Sequence, residues 1–93
     1  MTRVPSSISQ AKVLKVADVS SSRPTGNTRH EVSGQAVGPF AWLAIAQYPD
    51  DPGFYLFYCD EAWNEVTDTW HETLAKAVAQ AEFEYQPVEF VQP

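Results

Sequence analysis

Residues 40–48, FAWLAIAQY, place apolar side chains on both faces of an extended chain. A strand that is apolar on both faces is typical of the centre of a sheet, where neighbours cover it on both sides. Residues 54–59, FYLFYC, are predicted to form the returning strand of a hairpin, because the intervening residues 49–53, PDDPG, have turn composition. A third short strand is expected over residues 65–68.

Thr69 and Glu72 predict the start of a helix, because a threonine followed three residues later by glutamate matches a capping box. The helical period predicts a helix from about Trp70 to Glu84, and Pro87 prevents its continuation. Its apolar stripe consists of four residues that lie within about 60° of one another around the helix axis: Leu74, Val78, Ala81 and Tyr85. Phe83 points almost opposite this stripe, so either the helix ends before it or an aromatic side chain faces solvent or a partner.

The first third of the chain is predicted to hold one short strand between irregular segments. Residues 1–10 are mostly polar, and we expect a frayed terminus there. Residues 11–19, AKVLKVADV, are rich in β-branched side chains, which favour a strand. Residues 20–27, SSSRPTGN, have loop composition, and residues 29–37 are predicted to form a polar strand that a glycine ends.

These segments together indicate an α+β fold. We predict a small antiparallel sheet of three to five strands, in an order that the sequence leaves open, packed by one C-terminal helix over about residues 70–84. All twelve aromatic residues lie between Phe40 and Phe90. Because aromatic side chains dominate the burial energy of small cores, the core should be built largely from residues 40–91.

The formal net charge of −6 divides unevenly along the chain. Residues 1–30 carry five basic side chains against Asp18, a net charge of +4, whereas residues 31–93 carry Lys76 against eleven acids, a net charge of −10. We therefore divide the chain into a basic, serine-rich N-terminal arm, residues 1–30, and an acidic, aromatic-rich α+β domain, residues 31–93. The arm is either flexible or an edge strand held electrostatically on the acidic body.

No group of residues with metal-binding or nucleophilic chemistry stands out. Cys59 is the only cysteine, and it lies twelve residues from His71 without the spacing of a zinc site. We interpret Cys59 as a small buried strand residue and expect no metal, no cofactor and no catalytic residue. The acidic pairs Asp50-Asp51 and Asp60-Glu61 fall at opposite ends of the strand 54–59, too far apart to act as a carboxylate pair.

Charge and hydropathy argue against two further classes of function. A body with a net charge of −10 repels phosphates, so we expect no nucleic-acid binding. The longest apolar run, Phe40 to Ala46, is far shorter than the roughly 20 residues of a bilayer span. Residues 1–5 are not followed by the apolar stretch of a signal peptide. We expect a cytoplasmic protein without membrane contact, and the sequence identifies no small-molecule ligand.

A protein-binding surface is the function that the sequence favours. Trp63 lies in a predicted turn and Phe83 lies off the helical stripe, so both are candidates for exposure. Asp60, Glu61 and Glu65 surround Trp63, and an aromatic anchor among acids suits a basic protein partner. The competing interpretation is that Trp63 folds back over the sheet edge and that Phe83 packs under the C-terminal strand.

We therefore predict a non-enzymatic protein-interaction module, of which an immunity- or antitoxin-type inhibitor of a basic partner is one concrete form. The alternative is self-association. In a homo-oligomer of structural or regulatory role, the basic arm of one copy would dock on the acidic body of a neighbouring copy.

The stretch from Gly53 to Tyr85 resembles a class of small bacterial proteins without an established activity. The shared features are a hairpin, the helix-start pattern D-T-x-H-x-T-L at residues 68–74 and the helix-end pattern Q-A-x-F-E-Y at residues 80–85. The resemblance covers about a third of the chain and implies a bacterial origin and a small α+β domain. It implies no catalytic or binding residues, and the basic arm has no counterpart in it.

Overall fold

Nine strands and one helix make up residues 4–93, the part of the chain that the computed structural model describes. In chain order they are β1 (Ser7–Ile8), β2 (Ala11–Asp18), β3 (Arg23–Pro24), β4 (His30–Val32), β5 (Gln35–Val37), β6 (Trp42–Gln47), β7 (Phe54–Cys59), β8 (Glu65–His71), α1 (Leu74–Glu84) and β9 (Tyr85–Gln86). Strand residues far outnumber helical ones, 44% against 12%. The antiparallel sheet with one C-terminal helix is as predicted, but the sheet dominates the fold.

The main sheet has five antiparallel strands in the order β1-β2-β6-β7-β8. β6 occupies its middle, where Ala44 lies opposite Val16 of β2 and Phe57 of β7. The four inner residues of β6 are buried on both faces. The predicted central strand and its hairpin with β7 are therefore confirmed. Asp51 shapes the turn as expected, because its carboxylate accepts a hydrogen bond from the N–H of Gly53 at 2.8 Å.

Two separate cores cover the two faces of the sheet. On one face α1 packs through Ala77 and Ala81 on side chains that alternate along β6 and β7: Leu43, Ile45, Leu56 and Tyr58. On the other face the buried residues come from β1, β2, β6, β7 and the turn after β7, and they include Ile8, Val13, Ala44, Phe57, Cys59 and Trp63. Because one helix covers only one face, the sheet must cover the other face itself.

The sheet covers its second face by curling. Its two ends then approach each other, and the hydroxyl of Ser9, in the turn between β1 and β2, donates a hydrogen bond to the carboxylate of Glu65 at the start of β8, at 2.5 Å. Ile8 of β1 is buried in the second core as a result. The expected frayed terminus at residues 1–10 lies partly outside the described residues, and within them β1 is paired with β2.

The N-terminal third packs into this body from β1 onward. The arm provides the edge strand of the main sheet, β1, and its neighbour β2, which lies between β1 and β6. Val13, Val16 and Ala17 of β2 are buried. The loop that follows reaches the end of α1, where Thr25 donates to the carbonyl of Phe83 at 2.5 Å and Asn27 donates to it at 2.9 Å. These donors satisfy a helix C-terminal carbonyl that has no partner inside the helix.

The predicted helix start is wrong by four residues. Thr69 and Trp70 belong to β8, opposite Leu56 and Tyr55 of β7. Because pairing with β7 keeps Thr69 in the strand, the local capping pattern at Thr69 is not used. The helix begins at Leu74 with Thr73 as its N-cap. Its predicted end at Glu84 is confirmed. No helical segment within residues 4–93 has the length and apolarity that a bilayer crossing requires.

A smaller prediction is also corrected. The single polar strand expected over residues 29–37 is the hairpin of β4 and β5, because Ser33 and Gly34 turn the chain with φ of 53° and 80°. After Pro87, the C-terminal segment joins the main sheet through one bridge between Val91 and Val16. The short strand that does follow the helix, β9, pairs with β3.

The helix cap supplies the first test. The hydroxyl of Thr73 accepts a hydrogen bond from the N–H of Lys76 at 3.1 Å. Thr73→Ala should lower the free energy of unfolding by about 1 kcal/mol in urea denaturation, because the cap is lost. Thr73→Ser keeps the hydroxyl and should restore most of the difference. Equal stability of the wild type and Thr73→Ala would show that the helix does not begin here.

Candidate functional site

The five residues predicted to bind a partner do not form one surface. Phe83 lies on α1 and exposes 51% of its surface, so its predicted exposure is confirmed. Asp60, Glu61 and Trp63 lie in the turn between β7 and β8, and Glu65 begins β8. Trp63 follows the competing interpretation and folds back onto the sheet, because only 8% of its surface is accessible.

Trp63 is buried because it stacks on a distant tryptophan. Its ring lies 4.6 Å from that of Trp42, centroid to centroid, with 19° between the ring planes. The backbone of Trp63 has φ of 65°, which turns the side chain back onto the sheet. The carboxylate of Asp60 holds this turn, because it accepts hydrogen bonds from the N–H groups of Ala62 and Asn64, each at 2.9 Å. The hydrogen bonds from Asn64 and Ala62 lower the pKa of Asp60.

From the end of this turn, a surface that combines aromatic rings with carboxylates extends along β8, and we call it the acidic aromatic patch. It consists of Tyr48, Tyr55, Glu65, Asp68 and Trp70. The β7–β8 register places Trp70 opposite Tyr55, Asp68 opposite Phe57 and Glu65 opposite Cys59, so all three β8 residues share one face of the sheet. This is the face that the curl of the sheet covers only in part, and Trp70 exposes 51% of its surface there.

The carboxylates of the patch interact unfavourably with each other. Burial raises the pKa of Glu65, and the neighbouring carboxyl group of Asp68 raises it further. Burial likewise raises the pKa of Tyr48, and the negative charges of Glu65 and Asp68 add to that effect. The ion pairs found within residues 4–93 are Arg29–Glu31, His30–Glu84 and Lys76–Glu72, and none involves the patch.

Gly53 determines where the indole of Trp70 lies. Gly53 is buried beneath this ring, and a Cβ atom added to Gly53 would overlap the indole atoms. One face of the indole therefore rests on backbone, while half of the side chain remains accessible. Trp70 was predicted to begin the helix, and its place in the patch could not be predicted because the patch depends on the extent of β8.

A second polar cluster is buried under the β4–β5 hairpin, and sequence reasoning missed it as well. The carboxylate of Glu84, only 4% exposed, contacts His30 at 2.5 Å, Gln80 at 2.7 Å and the hydroxyl of Tyr58. Burial and Glu84 together raise the pKa of Tyr58 well above its usual range. A signal was present in the sequence, since Glu84 falls seven residues after Ala77 on the buried side of the helix.

This buried cluster holds the hairpin on the body. Most residues of β4 and β5 are exposed, whereas the side chain of His30 is 12% exposed and packs on Tyr58, with ring centroids 4.3 Å apart. A shallow cleft of about 230 Å³ opens beside His30, Phe40 and Tyr85. Within the described residues, no three His, Cys, Asp or Glu side chains are grouped closely enough to hold a metal ion.

The structure separates the residues that could form a nucleophilic pair. Cys59 and His71 lie at opposite ends of the β7–β8 ladder, opposite Glu65 and Phe54 respectively, and on opposite faces of the sheet. Asp50-Asp51 and Asp60-Glu61 likewise lie beyond opposite ends of β7. The geometry therefore assembles neither a thiol–imidazole pair nor a carboxylate pair from these residues.

Comparison with protein-family models, with curated proteins and with solved structures found no match. The resemblance of Gly53–Tyr85 to small bacterial proteins stays a prediction.

The raised pKa of Glu65, caused first by burial and then by Asp68, predicts that neutralising this carboxyl group increases the free energy of unfolding. Because the pKa of Glu65 is raised in the folded state, its ionisation costs folding free energy as the pH rises through the carboxyl range. Glu65→Gln should therefore be more stable than the wild type near pH 7, and the difference should shrink in acid, where the wild-type carboxyl is protonated. Urea denaturation across pH measures this, with Glu89→Gln as an exposed control. A difference in the free energy of unfolding that does not change with pH would contradict the raised pKa of Glu65.

The buried thiol gives a second prediction. Burial raises the pKa of Cys59 to about 12, with Glu65 and Asp60 adding to the shift. Because the thiolate is the reactive form, the folded protein should not react with a thiol reagent such as DTNB near pH 8. It should react fully once it is unfolded in denaturant. Rapid reaction of the folded protein would contradict the burial of the Cys59 thiol. Cys59 would then again be a candidate nucleophile.

Proposed function

We propose that this protein is a non-enzymatic interaction module that binds a basic protein partner. Immunity- or antitoxin-type inhibition of that partner is one concrete form. The binding surface consists of the β7–β8 turn, residues 60–64, together with the acidic aromatic patch. The observation that carries the proposal is the group of carboxylates on this surface, for which residues 4–93 provide no cationic partner.

The four acids of the surface differ in the hydrogen bonds that their carboxylates make within the chain. Asp60 accepts hydrogen bonds within the turn, and Glu65 accepts one from Ser9. Glu61 and Asp68 are exposed, and the carboxyl group of Asp68 lies within hydrogen-bonding reach of that of Glu65. A basic partner would compensate the charge of Glu61 and Asp68 without breaking the fold, which makes them the acids best placed for recognition.

A shallow cleft next to the turn supports the same proposal. It has a volume of about 370 Å³, and its lining includes Asp60, Glu61, Pro39, Phe40 and Ala41. Acidic groups on one side and apolar side chains on the other suit a lysine or arginine, whose methylene stem packs on apolar surface while its charged end meets a carboxylate. Phe83, on the helix, lies outside this surface, and the proposal does not require it.

The homo-oligomer alternative has no observation in its favour. It requires the basic arm to dock on a second copy, whereas β2 pairs with β6 of its own chain and Thr25 contacts its own helix. We further propose a cytoplasmic location, on the grounds of the sequence composition alone.

Paired charge-reversal variants test the proposed function. Glu61→Lys alters the proposed surface, whereas Glu89→Lys makes the same change in net charge in the segment that bridges to β2, at the other side of the sheet. Immobilised wild type and both variants are used to capture proteins from the source cells at about 0.05 M and about 0.5 M salt. We expect a basic protein that the wild type and Glu89→Lys retain equally at low salt. Glu61→Lys should retain it roughly fivefold less.

Two results would overturn the proposal. One is the absence of any basic protein whose retention differs between Glu61→Lys and Glu89→Lys. The other is a captured partner whose retention is unaffected by the higher salt, because an association steered by exposed charges weakens when salt screens them.

A further inference from the structure

We propose that the acidic aromatic patch is a binding site for one alkylammonium group, the side chain of a lysine residue in the basic partner. This inference rests on the proposed function and names the group that the surface recognises. It is carried by the convergence of three aromatic rings and two carboxylates on one face of the sheet.

The aromatic rings provide the walls of the site. The rings of Tyr48 and Tyr55 lie 5.3 Å apart, centroid to centroid, at an angle of 89°. Trp70 stands across the ladder from Tyr55 and exposes about half of its surface. Aromatic faces attract cations through the ring quadrupole, and tryptophan does so most strongly.

The carboxylates provide the charge. Asp68 lies between Glu65 and Trp70 along β8 and on the same face. Glu65 and Asp68 repel each other, and a cation between them would remove that repulsion and gain attraction from both. The adjoining cleft at the β6–β7 turn, which Tyr48 also lines, differs in this respect, because Lys12 lines it together with Asp50 and Asp51.

The shape of the patch favours lysine over arginine. Perpendicular rings form a corner that surrounds a compact, roughly spherical group on two sides, and an ammonium group has this shape. A guanidinium group is planar and stacks flat on a single ring, so it would use less of the corner. The same corner would also accept a methylated ammonium group, which gains contact with aromatic walls.

The experiment uses defined small probes, so that it does not depend on finding the partner. The full chain labelled with ¹⁵N is titrated with N-acetyl-lysine methylamide, with the arginine equivalent and with N-acetyl-norleucine methylamide, a neutral analogue of similar length. We expect shifts at the amides of Glu65 and Asp68 and at the indole N–H of Trp70. The lysine probe should bind more tightly than the arginine probe, and the norleucine probe should produce no shifts.

Variants locate the site. Asp68→Asn and Trp70→Leu should each lower the affinity for the lysine probe about three- to fivefold. This is the size expected for the loss of one exposed charge pair or one cation–π contact. Glu82→Gln, an exposed acid on the helix, should leave the affinity unchanged. The amide spectrum of each variant shows whether it remains folded, and tetramethylammonium serves as a second probe of the aromatic walls on the wild type.

The outcomes separate this inference from the proposed function. If the lysine probe shifts no patch resonance, or binds no better than norleucine, the ammonium site is wrong. If at the same time Glu61→Lys still retains less of a basic protein than Glu89→Lys does, the proposed function stands. Only the lysine-binding role of the patch is then wrong. If the probe binds at the patch but no basic partner is found, the site exists and the proposed function fails.

Discussion

The structure depends on one constraint, which is that a short chain must bury both faces of the central strand β6. One helix covers the first face through Ala77 and Ala81. The second face is covered by the sheet itself, because β1 and β2 curl over it and Trp63 folds back from the β7–β8 turn. The basic N-terminal third is therefore part of the fold from β1 onward.

The candidate surface is the part of the second face that the curled sheet leaves exposed. The curl closes near Ser9 and Glu65 but leaves Trp70 half exposed. Aromatic rings that continue the second core thus reach the surface beside two carboxylates that repel each other. The basic partner proposed above would supply the positive charge that this pair lacks.

The parts of the fold that local sequence decides were predictable. β6, β7 and their turn carry their own pattern, and the sequence places them correctly. The parts that depend on distant partners were not. Thr69 matches a helix cap locally, yet pairing with Leu56 keeps it in β8. Trp63 is buried by Trp42, and Glu84 is buried with His30, 54 residues away in the sequence. The patch could not be predicted for the same reason, since it requires the register of β8.

The exposure of the individual tryptophans tests the account most directly. Photo-CIDNP NMR with a flavin dye polarises only the aromatic rings that the dye can touch. We predict a strong signal from Trp70, which is half exposed, and none from Trp63, which is stacked on Trp42 and only 8% exposed. A polarised Trp63 with a silent Trp70 would mean that the sheet curls differently and that the acidic aromatic patch does not exist.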